Sequence, residues 1–209
     1  MPDTNLLLTF NTGSSSLKIG LFEWDAHGAR RIGKGLVDFS RRPLTFHLTE
    51  GPAVFDLRLH AEGGEDLRDV IAEAFEVLGM HFDIAAVRAV GHRVVHGGDQ
   101  FTGPVRLDEG NIGELDKLVA LAPLHQPQAL RVIRAVKHLR PTLVQTASFD
   151  TAFHATQSDL VRRFALPRAL HDQGIKRYGF HGLSYAFIAG ELRRRVPDVA
   201  ARKVIVAHL

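Results

Sequence analysis

A chain of 209 residues that is 45% hydrophobic and 23% charged has enough apolar material for a substantial core, in one large domain or two small ones. Without cysteine it excludes disulfides, thiolate zinc sites and cysteine nucleophiles, and its opening lacks a signal peptide's basic start and long apolar run. The +3 charge comes from 26 Lys+Arg against 23 Asp+Glu, scattered rather than striped beside stackable aromatics, so nucleic acid is not an expected partner; no stretch approaches the roughly 20 apolar residues of a membrane span, so no membrane is expected either, and with no cysteine and no signal peptide a cytoplasmic location is expected.

"NLLLTF" reads as a buried strand, "NTGSSS" as a turn cluster and "LKIGLFEW" as an alternating second strand. "RRIGKGLVDF", "PLTFHL" and "AVFDLRLH" continue an antiparallel meander. The period then changes: "GGEDLRDVIAEAFEVLGM" places Leu67, Val70, Ile71, Ala74, Phe75 and Leu78 on one helical face, with Gly79 as the expected stop. "AAVRAVGHRVV" is a strand. "DEGNIGELDKLVALAP" is a helix capped by Asp108 and ended by Pro123. "PQALRVIRAVKHLRP" is a helix with Pro127 in its first turn and Lys137, His138 and Arg140 crowding its end. "TLVQTASF" is a strand, "SYAFIAGELRRRV" a helix with Ser184 at its N-cap, and "KVIVAHL" a final strand. A meander followed by alternating helices and strands implies an α/β fold, with a largely parallel sheet and its site in loops at the strands' C-terminal ends.

Several segments carry chemistry. "FNTGSSSLK" offers a tight turn, free backbone N–H groups, three hydroxyls and Lys18, which are the parts of a phosphate cradle, although on its own such a cluster reads first as a plain hairpin turn. In "GHRVVHGG", Arg93 within an apolar strand needs an anion, either a structural ion pair or a carboxylate or phosphoryl ligand. Asp150 in "SFDTAFH" stands at a strand end, as a catalytic group or a turn cap. "RYGFHGLS" sets Phe180, His181 and Gly182 before a helix N-terminus, which attracts anions; a satisfied loop histidine is the plainer reading. In "LAPLHQP", packing and a proline bracket account for Leu124 and His125.

The five segments "NTGSSSLK", "GHRVVHGG", "LAPLHQP", "FDTAFH" and "RYGFHG", in this order and spacing, resemble the acetate kinase family over about Leu6 to Leu209. The resemblance implies a ribonuclease-H-like N-terminal domain over 1–200, with 201–209 as the first strand of a truncated second, nucleotide-binding domain of the sugar kinase, heat-shock chaperone and actin superfamily. It implies reversible, Mg2+-dependent phosphoryl transfer between ATP and acetate, with propionate or butyrate as variant substrates, and a homodimer. By position, Asn11 would help hold magnesium; Ser14, Ser16 and Lys18 would approach the transferred phosphoryl group and ATP; Arg93 would bind the substrate carboxylate or acyl phosphate. Val95, Leu124 and Phe180 would line the acyl-methyl pocket, Asp150 would be the acid/base residue, His181 would stabilise the transition state, and His208 would open the ATP loop. Since a carboxylate substrate is already ionised at neutral pH, Asp150 is expected to order magnesium, its water or Arg93 rather than remove a proton. Departures from the family pattern are Leu183 for threonine, Tyr185 for histidine, and the "HQP" and "HATQSD" segments. The competing expectation is an inactive remnant that binds a small anion or a partner chain, because the family's phosphate loop and second catalytic arginine would lie beyond Leu209.

Overall fold

The computed structural model describes residues 5–208 apart from 14 and 65. Two compact units divide them: one runs to Val94 and resumes over Val105–Ala147, and the other takes Val95–Pro104 and the residues from Ser148.

The first unit is built on strands β1 (Asn5–Thr12), β2 (Ser16–Asp25), β3 (Gly28–Asp38), β4 (Thr45–Glu50), β5 (Ala53–Arg58), β6 (Val87–Val94), β7 (Val105–Arg106) and β8 (Val144–Phe149). Their order across the sheet is β5-β4-β3-β2-β1-β6-β8-β7. The first five pair antiparallel in sequence order, as the meander pattern requires, while β6 lies parallel to β1. The sheet is therefore mixed rather than largely parallel, because five successive strands joined by short turns can only run alternately.

Alternation decides the two faces. Leu6, Leu8 and Phe10 of β1, Leu17, Ile19 and Leu21 of β2, and Phe46 and Leu48 of β4 point to one side and are buried. Against them lie helices α1 (Arg68–His81) and α3 (Gln126–Leu139), through Val70, Ile71, Ala74 and Leu78 and through Val132, Ala135 and Val136. The intervening positions, among them Thr9, Asn11, Lys18 and Gly20, share the opposite face and stay partly or fully exposed.

Helix ends correct two expectations. Helix α1 passes through Gly79 to His81 and ends only where Phe82 turns extended, its N–H still on the Leu78 carbonyl. Helix α2 (Glu109–Lys117) does start from Asp108, whose carboxylate accepts the Asn111 N–H at 2.8 Å, but it stops well before Pro123, and a 3-10 turn over Val119–Leu121 fills the interval. Helix α3 holds Pro127 in its first turn, where no intrahelical N–H is lost.

The second unit is loop-rich, with helices α4 (Asp159–Arg162), α5 (Arg168–Asp172), α6 (Gly182–Arg195) and α7 (Pro197–Ala200). Its buried anchor is the stacked pair Phe101 and Phe149, 5.1 Å between centroids. Asp99 is a polar hub, ion-paired to Arg162 and Lys176 and accepting from the Tyr178 hydroxyl. Burial alone would raise its pKa, but the hydrogen bonds from Lys176 and Arg162 outweigh that and leave it lowered. The expected strand at 203–208 does not form: a strand exists through its ladder to a neighbour, and no ladder is present here among the described residues.

Candidate active site

The residues singled out from the sequence fall into two groups, one on each unit. On the first unit, pairing register assembles a row. Asn11 lies opposite Lys18 on β2 and opposite Arg93 on β6, so the three side chains stand on the same exposed face of three adjacent strands. The Arg93 Nη1 donates to the Asn11 Oδ1 at 3.0 Å. The uncharged carboxamide oxygen thus helps to fix the direction of the guanidinium.

The turn between β1 and β2 is closed by the Gly13 N–H on the Ser16 carbonyl at 2.8 Å, and the Ser15 carbonyl accepts the Phe39 N–H. Ser16 itself opens β2; Ser14 lies outside the described residues. Leu124 stands exposed in the connection before α3. Beside Arg93 in sequence, but on the buried face, His92 stacks on Phe10 and hydrogen-bonds Gln145 at 2.7 Å. Burial pushes its pKa down to about 4, against the opposing hydrogen bond, so it is a neutral core residue.

On the second unit, Asp150 follows β8 and is buried. Its backbone carbonyl accepts the Gly182 N–H at 2.9 Å, which ties the end of the strand to the start of α6. Gly182 is required there: a Cβ would lie 2.2 Å from that carbonyl oxygen and 2.7 Å from the Phe153 Cβ. The N-cap of α6 is therefore His181, not Ser184, and His181 is held at φ +55°, a conformation few non-glycine residues adopt. Its ring stacks on His208 with centroids 4.1 Å apart.

Phe180 is partly exposed, with its ring 5.7 Å from that of His96. Val95 is half-buried. The Thr151 hydroxyl oxygen accepts the Gly97 N–H at 2.9 Å, joining "HGG" to "FDTAFH". His154 is a functional candidate that sequence reasoning quoted within a motif but gave no role. Its Nε2 meets the Phe180 carbonyl at 3.0 Å, and it packs so closely that a Cβ on Gly179 would strike its ring. Tyr185 stacks on Phe153 and lies edge-on to His154.

Residues 6–209 match the model of the acetokinase family. The chain belongs to the acetokinase family. It is 42% identical over 205 residues to the acetate kinase of Rhizobium meliloti and 40% identical over 209 residues to that of Deinococcus radiodurans, covering 97% of this chain in each case and 52% and 50% of those proteins. Among solved structures it is similar to a propionate kinase from Francisella tularensis (TM-score 0.82, 30% identity) and to the acetate kinase of Porphyromonas gingivalis (TM-score 0.78, 30% identity), each over 92% of this chain and 49% of the other. The chain thus spans about half the length of the relatives it matches. The fold is the ribonuclease-H-like α/β fold of this family, with the antiparallel meander and parallel β6 described above.

Among the described residues no group of three or more His, Cys, Asp or Glu could hold a metal by itself. Magnesium, however, typically takes one or two protein oxygens and completes its shell with water and substrate phosphates. Asn11 has one carboxamide lone pair left after accepting from Arg93, so it fits as a single added ligand to a metal carried by a phosphate chain.

Proposed function

We propose that the chain takes part in reversible phosphoryl transfer between ATP and acetate, yielding acetyl phosphate and ADP. The observation that carries this reading is the Lys18–Asn11–Arg93 row on a chain of the acetokinase family. Transfer of a phosphoryl group needs positioning and cancellation of charge on the equatorial oxygens more than covalent help. A cationic row held in strand register costs little reorganisation when an anion arrives.

On the first unit, Arg93 binds the carboxylate through its guanidinium, Lys18, Ser14 and Ser16 approach the transferred phosphoryl group, and Leu124 contacts the acyl methyl. Asn11 adds an oxygen to magnesium, which enters with ATP and supplies charge neutralisation. On the second unit, Val95 and Phe180 offer apolar contact to the acyl group, His181 donates to developing negative charge, and His208 precedes the ATP loop. Asp150 orders magnesium, its water or Arg93, since an ionised acceptor needs no base. Domain boundaries at 200/201, a cytoplasmic location and a homodimer complete the reading. Acetate is preferred to propionate or butyrate because the curated relatives quoted above are acetate kinases.

The test is acyl phosphate formation from acetate, ATP and magnesium, trapped with hydroxylamine, for the chain and for Arg93→Ala prepared identically. Activity that falls at least a hundredfold in Arg93→Ala is expected, as for loss of one charged transition-state contact. Equal rates, or none above the control, would overturn the proposal in favour of an idle, anion-binding remnant. Asp150→Asn is expected to alter the magnesium dependence; an unchanged magnesium profile and turnover would remove Asp150 from its role.

A further inference from the structure

The exposed face of the meander carries a cavity of about 530 Å³ lined by β1, β2, β3 and β4. Lys18, Arg31 and Lys34 line it together with Thr9, Thr49 and His47, whose Nδ1 meets the Asp56 carboxylate, and no Asp or Glu is among its lining residues. Elsewhere in the first unit the exposed cations are commonly neutralised: Arg30 by Glu23, Arg41 by Asp38, Lys117 by Glu114, Arg134 by Asp116. None of Lys18, Arg31 and Lys34 has an ion-pair partner among the described residues.

Their convergence is built by backbone register. Gly20 lies opposite Lys34, and Lys18 opposite Leu36, so Lys18 and Lys34 share a face. Arg31 is three residues from Lys34 and in an unbroken strand would point to the other side. A register shift between Leu21 and Phe22 sets Arg31 opposite Phe22 and returns it to the same face. The bulge therefore adds a third cation to a cavity that already holds two. Lys18, Arg31 and Lys34 repel one another with no ion-pair partner of their own among the described residues, so the arrangement is relieved by an anion. Successive rows on a strand face are about 7 Å apart, so the three cations come from rows stepping along the strand axis, matching an extended anion better than a single small one.

We propose that this cavity binds a chain of linked phosphoryl groups, with Arg31 and Lys34 as the residues that complete the site. Two sources share that chemistry, the tail of a nucleoside triphosphate and free inorganic polyphosphate. The inference extends the preceding reading at Lys18 and Asn11 but does not depend on acyl chemistry, since Arg31, Lys34, His47 and Thr49 have no part in that reading.

The experiment is calorimetric titration of the 209-residue chain with inorganic tripolyphosphate and, separately, with ATP, at low and at physiological salt. The variants are Lys34→Gln and Arg31→Gln, with Lys117→Gln as a control for net charge. Saturable tripolyphosphate binding, weakened about tenfold or more by each cavity variant and unchanged by Lys117→Gln, is expected, because charge-assisted hydrogen bonds are of that strength. Tighter binding of ATP than of tripolyphosphate would assign the site to the nucleotide, and equal or weaker binding to the inorganic chain. Absence of saturable binding, or cavity variants that bind like Lys117→Gln, would overturn the proposal whatever the hydroxylamine assay gives; circular dichroism confirms that each variant is folded.

Discussion

Helices α3 and α6 are each 14 residues long, and they have opposite fates. On the first unit, α3 buries Ala129, Leu130, Val132, Ile133, Ala135 and Val136. On the second, α6 buries only Gly182 and leaves Phe187 66% exposed, with Leu183 and Ile188 also open. Leu160, Phe164, Leu166 and Ile205 of the same unit are exposed as well. The first unit is held by a continuous apolar core, whereas the second is held by close backbone contacts, stacked ring pairs and the Asp99 hub. Helix formation and helix burial are thus separate facts: the period of 3.6 predicts the first, and a facing partner decides the second.

That contrast can be broken most directly by truncation. Ile133→Ala removes a fully buried side chain and is expected to cost about 2–5 kcal/mol, whereas Phe187→Ala is expected to stay within about 0.5 kcal/mol. Urea unfolding measures both, and equal costs would erase the distinction between the units. An acid titration probes the first unit's core next. His92 is neutral when folded, with a pKa lowered to about 4 from 6.5, so between those values the unfolded chain binds more protons than the folded one. Stability is fully present above pH 6.5 and falls as pH drops towards 4, by about 3 kcal/mol in all. His92→Gln should flatten this part of the profile; an unchanged acid slope would remove the buried imidazole from the account.

The second unit's dependence on close approach is sharpened by Gly182→Ala. The added methyl collides with the Asp150 carbonyl and the Phe153 Cβ, and a cost of about 1–3 kcal/mol is expected. Hydrogen exchange should show faster amides from Ser148 onward and unchanged protection in β1 and β6; uniform loosening would contradict two separately stabilised units. The smallest effect belongs to Asp108→Ala, about 1 kcal/mol for a lost N-cap, read as a lower urea midpoint.

Legibility follows the same division. The meander, α1, the Asp108 cap and Pro127 in α3 could be read because their signals are local: alternation, amphipathic spacing and cap chemistry. Cap preference favours a serine and so points to Ser184 as the start of α6, while the true start is set by a contact between Gly182 and Asp150, 32 positions apart. "KVIVAHL" has the composition of a strand yet forms no ladder, since pairing depends on a neighbour and not on composition. Within the site, Asn11, Lys18 and Arg93 were identified singly, but nothing in their spacing announced that register would set them side by side.

By itself the sequence determined the alternation of elements in the first unit, the apolar face of α1, and an order of motifs specific enough to indicate the acetokinase family. These depend on short-range periodicity and on residue identity. Tertiary structure alone decided the Lys18–Asn11–Arg93 row, the bulge that brings Arg31 to the side of Lys34, the left-handed His181 and the coupling of His154 to Phe180. Each of these arises from a contact between separate segments, and in the strand row and the bulge a shift of one residue in register would send the same side chains to the opposite face.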